Sequence, residues 1–484
     1  MKLPLTLLLF SGVCAAYGAT VQGGLFDEET QNPLARTHVT LAPLPGTAVA
    51  PAFQLSNDNG QFLFANVHPG WYLIRASRIG YATAEYGQYR PGLPGTPFEV
   101  TDSAVGSAAV ELRQIVMRRQ AAITGSVVDD NAIGIPGWAI SVYTARKPVR
   151  RIAQGLTDDR GNFRVGELEP GTYIVRSGAG GLEGGSTLVP SYYKYGTAVE
   201  EAETVHVRLG ETQGFVVIHT VEGRLFELTG EVTAPDKKPV RVTLITDTGR
   251  RMIGNSAGPF TATGVPPGMA ELLVEGTGCA GYQTVMVDRN MFARVDCLPF
   301  AAPLISGALS YPVMARRLDL DGPGAESAVS AGQSFGPGHW EFTVRPGASH
   351  YLAGIQNEGD SAPPLPVDGW FGLDVGNAPH LQVTLSAKPA SLSGVASSLG
   401  KTVIGAPVFL ELVNPDAPEL ATQSWLVRAD PQGNFVFEGL APGVYRLMSS
   451  FYFDYEDPIA RDKAVTVTLR EGDAITQPLE MILQ

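Results

Sequence analysis

The sequence predicts an all-β chain, a tandem array of about five Ig-like or transthyretin-like antiparallel β-sandwich domains. Three observations predict it. The 484 residues include 56 Gly and 36 Pro, roughly a fifth of the chain against a usual level of about 12 %. Apolar residues still make up 44 %, enough to bury cores, so low-complexity disorder is excluded. Finally, a strand-and-turn signature returns several times along the chain.

The first part of the signature is an apolar-x-Gly-x-apolar strand opening. It reads Val21-Gln22-Gly23-Gly24-Leu25, Ile123-Thr124-Gly125-Ser126-Val127, Leu228-Thr229-Gly230-Glu231-Val232, Ile305-Ser306-Gly307-Ala308-Leu309 and Leu392-Ser393-Gly394-Val395-Ala396. The central glycines are 77 to 105 residues apart, the size of one small sandwich. Downstream come Asp58-Asn59-Gly60-Gln61-Phe62 and Pro69-Gly70-Trp71-Tyr72 in the first copy. Asp159-Arg160-Gly161-Asn162-Phe163 and Pro170-Gly171-Thr172-Tyr173 follow in the second, and Gln432-Gly433-Asn434-Phe435 and Pro442-Gly443-Val444-Tyr445 in the fifth. From the first Gly to the Pro is nine residues in all three. The third copy keeps Gly258-Pro259-Phe260 and Pro267-Gly268 but has Ala270 in place of the aromatic. The fourth keeps Phe335-Gly336-Pro337-Gly338-His339-Trp340.

A turn glycine supplies positive φ, Phe begins a strand with one buried face, and Pro-Gly makes a second turn. The pattern predicts strand, turn, strand, turn, strand, an antiparallel meander. Alternating closing strands, Thr204–Leu209 with Phe215–Ile218 and Val465–Leu469 with Leu479–Ile482, complete about seven short strands per unit and no helix. Expected segments are 1–18, 19–117, 118–222, 223–300, 301–388 and 389–484. The connectors are very short, which predicts a rod with limited bending.

The pattern of strand opening, Asp-x-x-Gly-x-Phe turn and Leu-x-Pro-Gly-x-Tyr turn resembles the carboxypeptidase regulatory-like domain family. The resemblance covers copies one, two and five well and copies three and four weakly. It implies a transthyretin-like sandwich that performs no chemistry itself, although its namesakes sit beside a zinc peptidase domain. Bacterial exported proteins carry such domains in tandem, and the wider fold group includes starch-binding modules. An accessory or adhesive role follows from the resemblance; peptidase activity does not.

Segment 1–18 reads as a secretory signal. Lys2 precedes the apolar run Leu3–Phe10, and Ala16-Tyr17-Gly18 fits a cleavage site. Cys14 follows the apolar run, but Val13 stands where lipidation wants a small residue. No other stretch approaches the roughly 18 apolar residues of a membrane helix, so the mature chain is expected to have no membrane span. Its destination is then the periplasm, the cell surface or the medium. The net charge of −13 gives no electrostatic attraction to nucleic acid. Two cysteines then remain, Cys279 and Cys297, 18 residues apart. One disulfide in an exported chain and two separate buried thiols are the readings open for them.

The sequence carries no recognisable catalytic set, metal-site spacing or cofactor motif. The seven histidines (38, 68, 206, 219, 339, 350 and 380) are scattered and lack ligand spacing. Gly254-Asn255-Ser256-Ala257-Gly258 matches Gly-x-Ser-x-Gly in letters, but Pro259 follows where the hydrolase elbow needs a helix. The acidic turns at Asn57–Gly60 and Asp158–Gly161 lack the distant Glu of an EF-hand loop. Unit one has no lysine for an isopeptide bond. The candidates left are aromatic: Tyr81, Tyr86 and Tyr89; Tyr192, Tyr193 and Tyr195; and Tyr452 and Tyr455, with Phe451 and Phe453 beside them. Exposed tyrosines suit the mixed apolar and polar faces of sugars; packing beneath a loop is the other reading. The expected partners are a polysaccharide or another envelope or extracellular protein.

Overall fold

A computed structural model describes residues 19–101, 109–145, 149–182, 186–235, 239–246, 249–301, 304–307, 311–320, 322–329, 335–414, 417–453 and 457–483. The expected signal, Cys14 and Tyr455 lie outside the described residues. Strands dominate. The helical pieces among the described residues are Pro458–Lys463 and a 3-10 turn at Val199–Glu201. No helix among them is long and apolar enough to cross a membrane.

Five large buried clusters follow one another along the chain. They run from Ala19 to Met117, Ala121 to Ile218, Leu228 to Cys297, Val313 to Val383 and Ala390 to Leu479. Each is sandwiched between two sheets, and the units are numbered here by these cores. In unit two, Ala121–Val128 lies between Asn162–Leu168, antiparallel, and Thr212–His219, parallel. The facing sheet has the order Arg151–Leu156, Ala139–Thr144, Gly171–Ser177, Thr204–Val207. Units one, three and five repeat this plan, each with the opening strand central and paired in parallel with the unit's last strands.

The repeated residues have definite mechanical tasks. At Gly125 a Cβ would run into the Val216 carbonyl of the parallel strand and into the Phe163 ring. Gly394 is confined in the same way by the Gln477 carbonyl and Phe435. The strand-opening glycine and the turn phenylalanine are therefore one packing pair, and the glycine is there for close approach. The turn itself is fixed by an Asx side chain. Asp158 Oδ1 accepts from the Arg160 and Asn162 amides at 2.9 and 2.8 Å. Asn57 and Asp430 do the same in units one and five. In each copy it is the residue three before the glycine that caps the turn, so the Asp58 and Asp159 side chains are not the capping ones.

The Pro-Gly turn ends in a tyrosine corner. Tyr72, Tyr173 and Tyr445 donate to the carbonyls of His68, Glu169 and Ala441 at 2.8, 2.6 and 2.7 Å, each four residues upstream. This corrects the expected meander. Gln61–Val67 and Gly70–Ser77 belong to different sheets, as do Asn162–Leu168 and Gly171–Ser177. Both signature turns carry the chain across the core. The buried tyrosine tethers the crossing, whereas a hairpin within one sheet would be held by ladder bonds.

The expected rod is also corrected. Unit one packs on unit five, unit two on unit four, and unit three on unit four. Ser386 of unit four bonds Glu471 of unit five at 2.6 Å. With the direct connection of units one and two, contacts 1–2, 2–4, 4–5 and 5–1 close a ring. Charged side chains far apart in sequence join the units.

Candidate functional site

Tyr81 is half-buried against the core of unit one and donates to Asp27 Oδ2 at 2.6 Å. Tyr86 packs on the same core, edge-on to Phe98. Tyr193 packs on the core of unit two, and Tyr192 lies under the Arg176 guanidinium, 5.2 Å from its ring centre. Tyr195 is 58 % exposed and stacks on His219 with ring centres 5.0 Å apart. Tyr89, 51 % exposed, meets Tyr452 edge-on at 5.0 Å. The tyrosines thus do not form one flat platform. Tyr81, Tyr86 and Tyr193 pack inward, and among the described candidates Tyr89 and Tyr195 are the exposed ones.

Asp27 shows how a polar group is accommodated near the first junction. It is buried, and burial alone would raise its pKa. Hydrogen bonds from Tyr81 and Thr30, with Arg119 beside it at 3.0 Å, more than offset that and hold it at about 2, below the usual 3.8. A carboxylate depressed in the folded state stabilises fully above its unfolded pKa and loses that stabilisation as pH falls through the folded value. The expected result is a drop of about 2 kcal/mol in unit one between roughly pH 4 and pH 2. Denaturant melts across that window check it, and Asp27→Asn should remove this part of the acid dependence.

The groups the sequence reading did not single out lie between units. Arg150 of unit two and Arg316 of unit four both pair with Glu341 of unit four, which is 2 % exposed. Arg316 also stacks on Trp370, 4.2 Å from the ring centre. Asp319 of unit four holds Arg250 of unit three at 3.2 Å and Arg317 at 2.6 Å. Glu271 of unit three accepts from Tyr282 at 2.8 Å and from the Leu320 amide of unit four at 3.1 Å. Burial pushes the Glu271 pKa up, against those hydrogen bonds.

Units one and five meet in a clasp. Arg428 of unit five pairs with Glu85 and donates to Gly95 O at 2.9 Å, both in unit one. Burial draws the Arg428 pKa down and Glu85 draws it back up. Arg90 donates to Tyr452 O at 3.0 Å. Gly405 is the seat for Leu44 and Pro97 of unit one, since a Cβ there would stand 2.7 Å from Pro97 Cγ. Beside the clasp a groove of about 850 Å³ separates Ala42, Pro45 and Leu73 from Val395 and Val436. The sequence signal for these groups is slight. Some are lone charges within or beside an apolar strand, as in His339-Trp340-Glu341-Phe342 and Trp425-Leu426-Val427-Arg428, and others sit in short charged runs such as Arg316-Arg317-Leu318-Asp319.

Cys279 and Cys297 form a disulfide with Cα atoms 5.2 Å apart, within the unit-three core. Reducing it, or replacing both cysteines with Ala, is expected to cost unit three about 3 kcal/mol on loop entropy; melts with and without reductant measure it. Ser256 lies on an exposed turn between strands Gly249–Gly254 and Gly258–Val265, with no helix after it. His339 contacts Asp374 and His380 contacts Glu358, each at 2.9 Å. Among the described residues no three His, Cys, Asp or Glu side chains group to hold a metal ion.

No family model matches the chain, and no curated protein matches it. Solved structures similar to parts of it include the Bacillus anthracis TIE protein, 14 % identical with a TM-score of 0.19. That match covers 58 % of this chain, which spans 50 % of the TIE protein's length. The shaft pilin spaA from Lactobacillus rhamnosus GG is 13 % identical over 43 % of this chain and 99 % of its own, with a TM-score of 0.26. GBS52, the minor pilin of Streptococcus agalactiae, is 12 % identical over 43 % of this chain and 98 % of its own, with a TM-score of 0.24. The functional reading rests on the chain's own geometry.

Proposed function

We propose that the chain is a non-catalytic exported scaffold or adhesion protein of the periplasm, cell surface or medium, built of carboxypeptidase regulatory-like sandwiches. On this reading the units divide near residues 118, 223, 301 and 389. The observation that carries it is where the buried charges go. Glu271, Asp319 and Glu341 are deeply buried, and each bonds across a boundary between units. Burying charge is expensive unless it is paired, and here it fixes the relative placement of sandwiches. Presenting surfaces in a fixed arrangement is what such a design is suited to.

The test is twofold. N-terminal sequencing of protein recovered from the cell exterior should find a start near Ala19; an intact Met1 in soluble cytoplasmic protein would contradict export. A hydrolytic activity on any peptide or glycoside that disappears in Ser256→Ala would contradict the non-catalytic reading. A second reading, polysaccharide binding, is favoured by one observation, the exposure of Tyr89 and Tyr195. Tyr195→Ala should then weaken retention on a polysaccharide column with the melting temperature nearly unchanged. Unaltered retention would remove Tyr195 from that reading.

A further inference from the structure

We propose that the clasp between units one and five is an exchangeable interface. The first unit of one chain can dock on the fifth unit of a second copy. Reciprocal exchange then gives a dimer held by two of the contacts that close the single chain. This goes beyond the scaffold reading, since it names a partner, a second copy, and the surface that receives it.

Four observations carry it. The two surfaces are complementary in charge and shape: Glu85 and the Gly95 carbonyl meet Arg428, Leu44 and Pro97 meet Gly405, and Tyr89 meets Tyr452. Among the described residues, unit one is attached to the rest in two places, the clasp and its junction with unit two. Only residues 118–120 separate its last strand, Ile115–Met117, from the first strand of unit two, Ala121–Val128; short connectors favour exchange of an identical element between chains. The contact is also unevenly packed, with a groove of about 850 Å³ open beside it. Finally, the pair is shielded from water, Arg428 and Glu85 being 11 % and 20 % exposed, so pairing there is selective for sign.

Closure within one chain competes with exchange through effective concentration. A tethered partner acts at an effective concentration on the order of millimolar, so the closed single chain dominates in dilute solution. Charge reversal removes that advantage. In E85R, two arginines face each other across the clasp; in R428E, two glutamates do. Neither variant can close on itself or on its own copies. In the mixture, one clasp pairs the arginine introduced into the first variant with the glutamate introduced into the second. The reciprocal clasp pairs the native Glu85 with the native Arg428. The mixed dimer therefore satisfies both clasps.

The experiment is light scattering on size-exclusion fractions of E85R, of R428E, of their equal mixture and of the double variant. Each single variant should run as an extended single chain. The mixture should give a species of twice the mass, because neither variant has a closed single-chain state to compete with it. The double variant should return to a compact single chain. A mixture that stays at single-chain mass overturns the proposal. So does a dimer formed by either single variant alone, or a double variant that remains extended, because then this pair does not govern the contact.

Discussion

Tyr445→Ala should unfold the fifth unit while leaving the other four largely intact. Tyr445 is fully buried, shares its core with Leu392, Phe435 and Phe437, and tethers the sheet crossing through Ala441 O at 2.7 Å. Removing a ring of that size from a closed core costs about 3–5 kcal/mol. Tyr445→Phe separates the two contributions. It keeps the packing and leaves the Ala441 carbonyl without its partner, a cost of about 1–2 kcal/mol. Burial drives the phenol pKa up, so the group donates throughout the accessible pH range and the Phe variant should show no pH-dependent recovery. Hydrogen exchange resolved by segment would show protection lost over 390–480 and kept elsewhere. Protection lost evenly over all five units would mean that they fold as one body.

Glu341→Ala should loosen the contact of unit two with unit four. The carboxylate accepts Arg150 from unit two and Arg316 from unit four, and the two guanidiniums are only 16 % and 20 % exposed. Breaking a buried pair by removing one partner costs about 3–5 kcal/mol, because the other charge is left stranded. Here two cations are stranded and repel. Unit two can relieve this by letting Arg150 swing into water, so the expected readout is separation of units two and four with a smaller fall in the melting temperature of unit four itself. Distance measurements between labels on the two units should lengthen. Replacing Arg150, Arg316 and Glu341 together with apolar residues of similar volume should restore the short distance, as buried ion networks can be exchanged in this way.

Much of the internal design of each unit was legible in the sequence. The strand-opening glycine, the turn phenylalanine and the corner tyrosine lie within about 50 residues of one another in units one, two and five. They report on contacts inside one core, so spacing alone marks them. The direction of the chain through the turns was not legible. A Pro-Gly turn that closes a hairpin and one that crosses between sheets have the same residues. The difference lies in whether Tyr72, Tyr173 and Tyr445 reach the carbonyl four residues upstream.

Closure of the chain was not legible either. It depends on pairs such as Arg150 with Glu341 and Glu85 with Arg428, 191 and 343 residues apart. Nothing in the local pattern of either member names the other. The tyrosine groups misdirected attention for a related reason. They cluster downstream of the Pro-Gly turn in three units, but Tyr81 is drawn inward by the carboxylate of Asp27 and Tyr192 by the guanidinium of Arg176. Each depends on a charge elsewhere in its unit.

Units one, two, four and five close into a ring with unit three packed on unit four, and the chain does not extend as a rod. Small-angle X-ray scattering of residues 19–484 in dilute solution tests this closure most directly. A compact body of this length has a radius of gyration of about 23 Å, and a closed arrangement of sandwiches should lie near or slightly above that. Five units in line, each about 30 Å long as set by its strands, would give a value on the order of 45 Å. A result near the smaller value, increasing in R428E, is what the ring predicts. A value near the larger one in the unaltered chain would contradict it.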